Sequence, residues 1–126
     1  MRTFCKWWSV GVGAMDAATG ILLILWPEWV LGMLGVEGVG VESMVFLRWI
    51  GVFVGSVGLS YGLALREQRQ GKTVWQFTGL VRAGVAVFVT TSILRGSLDR
   101  AWIGVAATDA LVAAVQAWGL RKEWWR

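Results

Sequence analysis

Four ionisable side chains stand alone inside long apolar runs: Asp16, Arg48, Arg82 and Asp109. A carboxylate in such a run can take up a proton or hold a cation, and a guanidinium can grip a carboxylate or another anion through paired N–H donors. Other chemistries find few instruments here. The chain has no histidine and one cysteine, which excludes an internal disulfide, a Cys/His zinc centre and histidine-ligated haem. A serine, threonine or cysteine nucleophile activated by histidine is excluded on the same ground. No motif supplies a phosphate loop, a metal set or a cofactor fingerprint. An enzyme would have only carboxylates and arginine for acid–base work.

Depth follows from the helical rise of 1.5 Å per residue. Counted from Trp7, Val74 and Trp118, the residues Asp16, Arg82 and Asp109 each lie ~12–13 Å in from the same edge. An Asp16–Arg82–Asp109 cluster near mid-membrane is therefore expected. An arginine between two carboxylates can simply fix helix register. Two carboxylates against one guanidinium also leave surplus negative charge in a dry interior, a candidate proton- or cation-binding site. A third reading has Arg82 holding a polar ligand. Arg48 sits ~6 Å inside the opposite end of its helix, where it can snorkel toward Glu42, Glu37 or Glu28. An outer-side Arg48–Glu42 salt bridge is the expected outcome, with reception of an external partner as the alternative.

Helices must carry these residues. The apolar runs are Trp7 to Trp26, Met44 to Leu65, Val74 to Leu94 and Ala101 to Trp118, each able to cross ~30 Å of hydrocarbon. Only 16% of the chain is charged, so no run has the polar stripe that a water-soluble bundle needs. The expected fold is all-α: one domain over 1–126, an integral membrane antiparallel four-helix bundle. Arg66 to Thr73 and Arg95 to Arg100 read as tight polar turns. Pro27 can open a short helix through Leu34, which Gly35 would stop. That helix reads as interfacial, or else as part of a re-entrant loop.

Charge sets the orientation. Arg2, Lys6, Arg66, Arg69, Lys72, Arg121, Lys122 and Arg126 fall on one side of the four runs, and Arg95 and Arg100 on the other. This places both termini in the cytoplasm and makes the chain a multi-pass protein of the cytoplasmic (inner) membrane. The ten tryptophans fall near run ends, an aromatic-belt pattern that reads as anchoring. The first run is too long, and too interrupted by Asp16, for a cleaved signal peptide. The basic tail from Arg121 to Arg126 reads as an anchor to anionic headgroups, and the basic balance points to the membrane surface, not to nucleic acid.

Small residues mark the faces where helices meet in lipid. Gly51, Gly55, Gly58 and Gly62 form one stripe on the second span, and Ser9, Gly13, Asp16 and Gly20 form another on the first. Gly79, Arg82 and Ala86, then Ala106, Asp109 and Ala113, continue the pattern on the third and fourth. Spacing of four and three residues favours a left-handed bundle. Each central charge lies on its helix's small-residue face. Tyr61, Ser60 and Ser56 could hydrogen-bond within the bundle, Thr90, Thr91 and Ser92 could bond to preceding carbonyls or line a small cavity, and Cys5 reads as an idle thiol or an acylation site.

With four spans, both ends inside, and Phe46-Leu47-Arg48-Trp49-Ile50-Gly51 followed by Gly55 and Gly58, the chain resembles the small bacterial four-helix membrane proteins typified by the DoxX family. The resemblance implies partnership with a quinone-linked or thiol redox membrane complex. The small multidrug transporters are similar in length, with an acidic residue halfway along the first helix where Asp16 stands. Two functions follow as expectations. One is a non-catalytic subunit or scaffold in a larger membrane assembly or homo-oligomer, with no cofactor held by protein ligands and with lipid or quinone in a groove. The other is a minimal proton-coupled small-molecule transporter working through Asp16 and Asp109.

Overall fold

The computed structural model describes all 126 residues and contains helices and turns but no strand. Helix α1 spans Arg2–Leu25. It ends because Pro27 has no N–H to donate and forces Trp26 out of helical geometry, at φ −136°. The same proline opens α2, Pro27–Leu34, which stops at Gly35 with φ +73°. In that left-handed conformation a residue with a Cβ would be strained. Both boundaries of this short helix match the expectation from sequence.

Helix α3 spans Val41–Ser60 and tightens into a 3₁₀ segment, Tyr61–Leu65, so the expected single run through Leu65 is built in two parts. Helix α4 spans Gln68–Leu94. Its first turns absorb Gln68 to Thr73, which the sequence reading assigned to a polar turn. Gln, Arg and Lys are good helix formers, and only Arg66 and Glu67 remain to connect the segments. A 3₁₀ turn at Arg100–Trp102 leads into α5, Ile103–Arg121. The Asp99 carboxylate opens that turn by accepting the Ala101 N–H at 2.8 Å. Four stretches, Arg2–Leu25, Val41–Leu65, Gln68–Leu94 and Arg100–Arg121, are long and apolar enough to cross a membrane.

Packing is organised in two pairs, α1 along α3 and α4 along α5, with the Tyr61–Leu65 segment touching α1, α3 and α4. Glycine permits the first pair. A Cβ on Gly20 would stand 2.6 Å from the backbone of Gly55, and one on Gly58 would stand 2.5 Å from the nitrogen of Ala17. Gly13 and Gly51 are equally tight against Tyr61, Leu23 and the facing backbone, whereas Gly55 has room for a Cβ at 3.8 Å. Gly62 does not belong to the interface: a side chain there would meet open space. The change to 3₁₀ geometry at Tyr61 breaks the four/three spacing that was to carry it inward.

The chain termini share one end of the molecule. Cys5, Val12, Tyr61, Ala64, Val74, Trp75, Val112 and Trp125 form one apolar core there. After α5 the chain turns at Glu123, a non-glycine residue at φ +56°, and Trp125 drops onto Gly71 and packs edge-on against Trp75 at 5.4 Å. Two tryptophans read as membrane anchors are thus core residues, since both Trp75 and Trp125 are fully enclosed. The tail that carries Trp125 folds back onto the helices instead of lying flat. Trp7, Trp26, Trp29, Trp49 and Trp118 are exposed.

Candidate functional site

Midway along the helices, at the edge of that core, the three central charges meet. Arg82 of α4 donates from Nη2 to Asp16 Oδ2 of α1 and from Nη1 to Asp109 Oδ1 of α5 at 2.6 Å. Its side chain is only 4% exposed, against 10% for Asp16 and 17% for Asp109. The sequence-derived cluster is present as expected, with Arg82 as the shared partner. Its third nitrogen, Nε, donates to Tyr61 Oη at 3.3 Å, and the guanidinium carbon lies 5.9 Å from the centre of the Tyr61 ring.

Tyr61 extends the cluster toward the termini. Its hydroxyl donates to Gln116 Oε1 at 2.6 Å, and Gln116 Nε2 donates to the Trp75 carbonyl at 3.1 Å and to Thr78 Oγ1 at 2.9 Å. Thr78 donates in turn to the Val74 carbonyl, 2.7 Å away. From the same face of α4, Trp75 Nε1 donates to Ser9 Oγ at 2.9 Å, and Ser9 donates to the Cys5 carbonyl at 2.8 Å. A connected or closely adjacent set of polar side chains therefore ties α1, the 3₁₀ segment, α4 and α5 together. Buried polar groups cost stability unless they are paired, and each of these has found a partner.

Tyr61 was one of several candidate hydrogen-bonding residues in the sequence. Gln116, Thr78 and the Ser9–Trp75 pair were not singled out, although a usable signal exists. Ser9 precedes Asp16 by seven residues, Trp75 precedes Arg82 by seven, Thr78 precedes it by four, and Gln116 follows Asp109 by seven. Each polar partner lies on the same helical face as a central charge, two turns nearer the termini or one in the case of Thr78.

Arg48 does not join an acidic partner. The ion pairs are Arg82 with Asp16 and Asp109, and Arg126 with Glu123. Arg48 Nη1 instead donates to the Ile24 carbonyl at 2.9 Å. The expected Arg48–Glu42 bridge fails for a geometric reason: six residues along one helix put the two side chains ~120° apart around its axis. Ile24 belongs to the last turn of α1, where carbonyls lack an intrahelical amide and welcome a charged donor.

The site's chemical means are two carboxylates, one guanidinium and one phenol. No group of three His, Cys, Asp or Glu residues comes together to hold a metal ion. The polar chain below the cluster passes through the carboxamide of Gln116, which cannot hand on a proton without tautomerising, and its ties hold Tyr61 against Arg82. Comparison of the chain with known protein families, curated proteins and solved structures finds no match.

Proposed function

We propose that this chain is a non-catalytic integral membrane subunit, an antiparallel, left-handed four-helix bundle of the inner membrane with both termini in the cytoplasm, packing against a larger membrane assembly. The observation that carries the reading is how the chemistry-bearing side chains are engaged. Arg82 is bonded to Asp16, Asp109 and Tyr61, and Tyr61, Gln116, Thr78, Trp75 and Ser9 are bonded to one another or to helix carbonyls. Such a network specifies one arrangement of helices and commits the arginine to its two carboxylates. The glycine stripe of α3 lies against α1 and cannot be the docking face. One apolar surface open to a partner is the distal part of α3, where Val45, Phe46, Trp49, Ile50 and Phe53 are exposed. The DoxX-like outline makes a quinone-linked redox or energy-converting complex the class of assembly, with lipid or quinone filling a groove at the contact. Purification from native membranes in mild detergent should recover a partner at fixed stoichiometry. Recovery only as free monomer or homodimer overturns the proposal.

A second reading is a minimal proton-coupled transporter, and one observation favours it. Both carboxylates keep part of their surface accessible while the arginine between them is enclosed. On this reading Asp16 and Asp109 exchange protons for a small-molecule substrate. Flux in proteoliposomes would depend on pH and vanish in Asp16→Asn, and flux retained in that variant removes Asp16 from any mechanism.

A further inference from the structure

The recess where the start of α1 meets the start of α4 lies outside the charge cluster. It is a shallow, open depression of about 440 Å³ lined by Arg2, Glu67, Gln68, Arg69 and Lys72, with no apolar residue. None of its three cations forms an ion pair. Its single acid, Glu67, already accepts from Gln70 Nε2 at 3.0 Å. Three unpaired positive charges around one polar recess select an anion, and their fork and ammonium donors suit phosphate oxygens.

The surface leading away from the recess says what the anion is attached to. On α4, Leu80 and Val87 follow Arg69 by 11 and 18 residues, close to whole turns, so all three share one face. Leu80 is 73% exposed, Val87 68% and Leu94, one further heptad along, 82%. A largely apolar strip thus begins ~12 Å from Lys72, the nearest cation of the recess, and continues to the far end of the helix, interrupted at Thr91. An inorganic anion or a nucleic acid has no use for that strip, whereas the acyl chain of a lipid lies along it. We propose that the recess is a headgroup site for an anionic phospholipid, its phosphate held by Arg2, Arg69 and Lys72 and one acyl chain lying over Leu80 and Val87. The proposal rests on the membrane placement above and is independent of the subunit reading.

Native mass spectrometry of delipidated protein, titrated with phosphatidylglycerol, phosphatidylcholine or inorganic phosphate, tests it. Phosphatidylglycerol should bind in preference to phosphatidylcholine. Each cation removed should weaken it roughly five-fold, so Arg69→Gln/Lys72→Gln loses roughly thirty-fold. Arg121→Gln/Lys122→Gln removes equal charge near the same end but outside the recess, and should retain the preference. Equal loss in both double variants, no preference in the unaltered chain, or displacement of phosphatidylglycerol by inorganic phosphate at similar concentration overturns the site. A chain that floats with vesicles yet shows no preference refutes the site and leaves the membrane placement standing.

Discussion

The half of the molecule nearest the termini and the half beyond the charge cluster are built on different principles. In the terminal half, the largest fully enclosed side chains are Trp75, Trp125, Tyr61, Gln116 and Thr78, with Cys5 and Ser9 beside them. Bulky rings fill the space between the two helix pairs, and polar atoms pin them to one another. Beyond the cluster the fully enclosed side chain of note is Pro27, and the other buried residues are small (Gly20, Gly51, Ala86, Ala106) or aliphatic (Leu23, Leu31, Val89), with no aromatic ring among them. There each pair is close-packed within itself, and its large apolar residues (Phe53, Phe88, Ile50, Val87) are exposed. A single chain can therefore fix helix positions firmly at one end and leave the other end's surfaces to lipid or to a partner. Asp16, Arg82 and Asp109 stand at the boundary, where the shared core stops.

The sharpest way to break this contrast is to remove the boundary's keystone. Arg82→Gln strands one buried and one half-buried carboxylate, and losing one partner of a buried ionic group costs about 3–5 kcal/mol. The thermal unfolding midpoint in detergent, followed by tryptophan fluorescence, should fall accordingly. Adding Asp16→Asn and Asp109→Asn removes the stranded charge and should recover most of the loss. A triple variant no more stable than the single one would mean that Arg82 acts through packing and not charge.

Next in size is a matched pair of tryptophans. Trp125 is enclosed on Gly71 and Trp75, and its indole N–H has no partner. Trp125→Ala therefore loses packing alone, about 3 kcal/mol. Trp29, exposed on α2, should change stability by less than about 0.5 kcal/mol when replaced by alanine. Comparable losses at the two sites would erase the distinction between the halves.

These two tryptophans also show where sequence reading stops. The Asp16–Arg82–Asp109 cluster was legible because helical rise and a face shared with small residues constrain a lone charge to one depth and one direction. The breaks at Pro27 and Gly35 were legible because each residue permits few backbone conformations. Trp75 and Trp125 were not, since a tryptophan near a helix end has the same local signature whether it faces lipid headgroups or turns inward. What decides is a tertiary event: the chain reverses at Glu123 and finds bare backbone at Gly71. Gln116 was missed because an amide near a helix end looks solvated until Tyr61 is placed opposite it. The placement of Tyr61 depends in turn on the switch to 3₁₀ geometry after Ser60, for which no residue pattern gives notice.

Glycine offers a smaller test within one pair of helices. Gly20→Ala drives a methyl into the backbone of α3 and should destabilise by about 1–3 kcal/mol. At Gly62 the added methyl meets open space, and the same substitution should be neutral or stabilising by up to about 1 kcal/mol. If both were tolerated alike, α1 and α3 would not be in backbone contact.

Smallest of all is the charge beyond the cluster. Arg48 is exposed and donates to one carbonyl, that of Ile24. Replacing it with methionine keeps the apolar stem and forfeits a single hydrogen bond, about 1 kcal/mol. Glu42→Gln should leave stability unchanged, because no ion pair reaches Glu42. A double-mutant cycle of Arg48→Met with Glu42→Gln should then return a coupling energy near zero. Coupling clearly above about 0.5 kcal/mol would restore the salt bridge that spacing first implied. It would also show that the far half has an electrostatic tie of its own, narrowing the contrast with the terminal half. Arginine at a helix C-terminus and arginine in the central cluster thus differ by severalfold in consequence, because one charge keeps access to water and the other has exchanged it for two carboxylates.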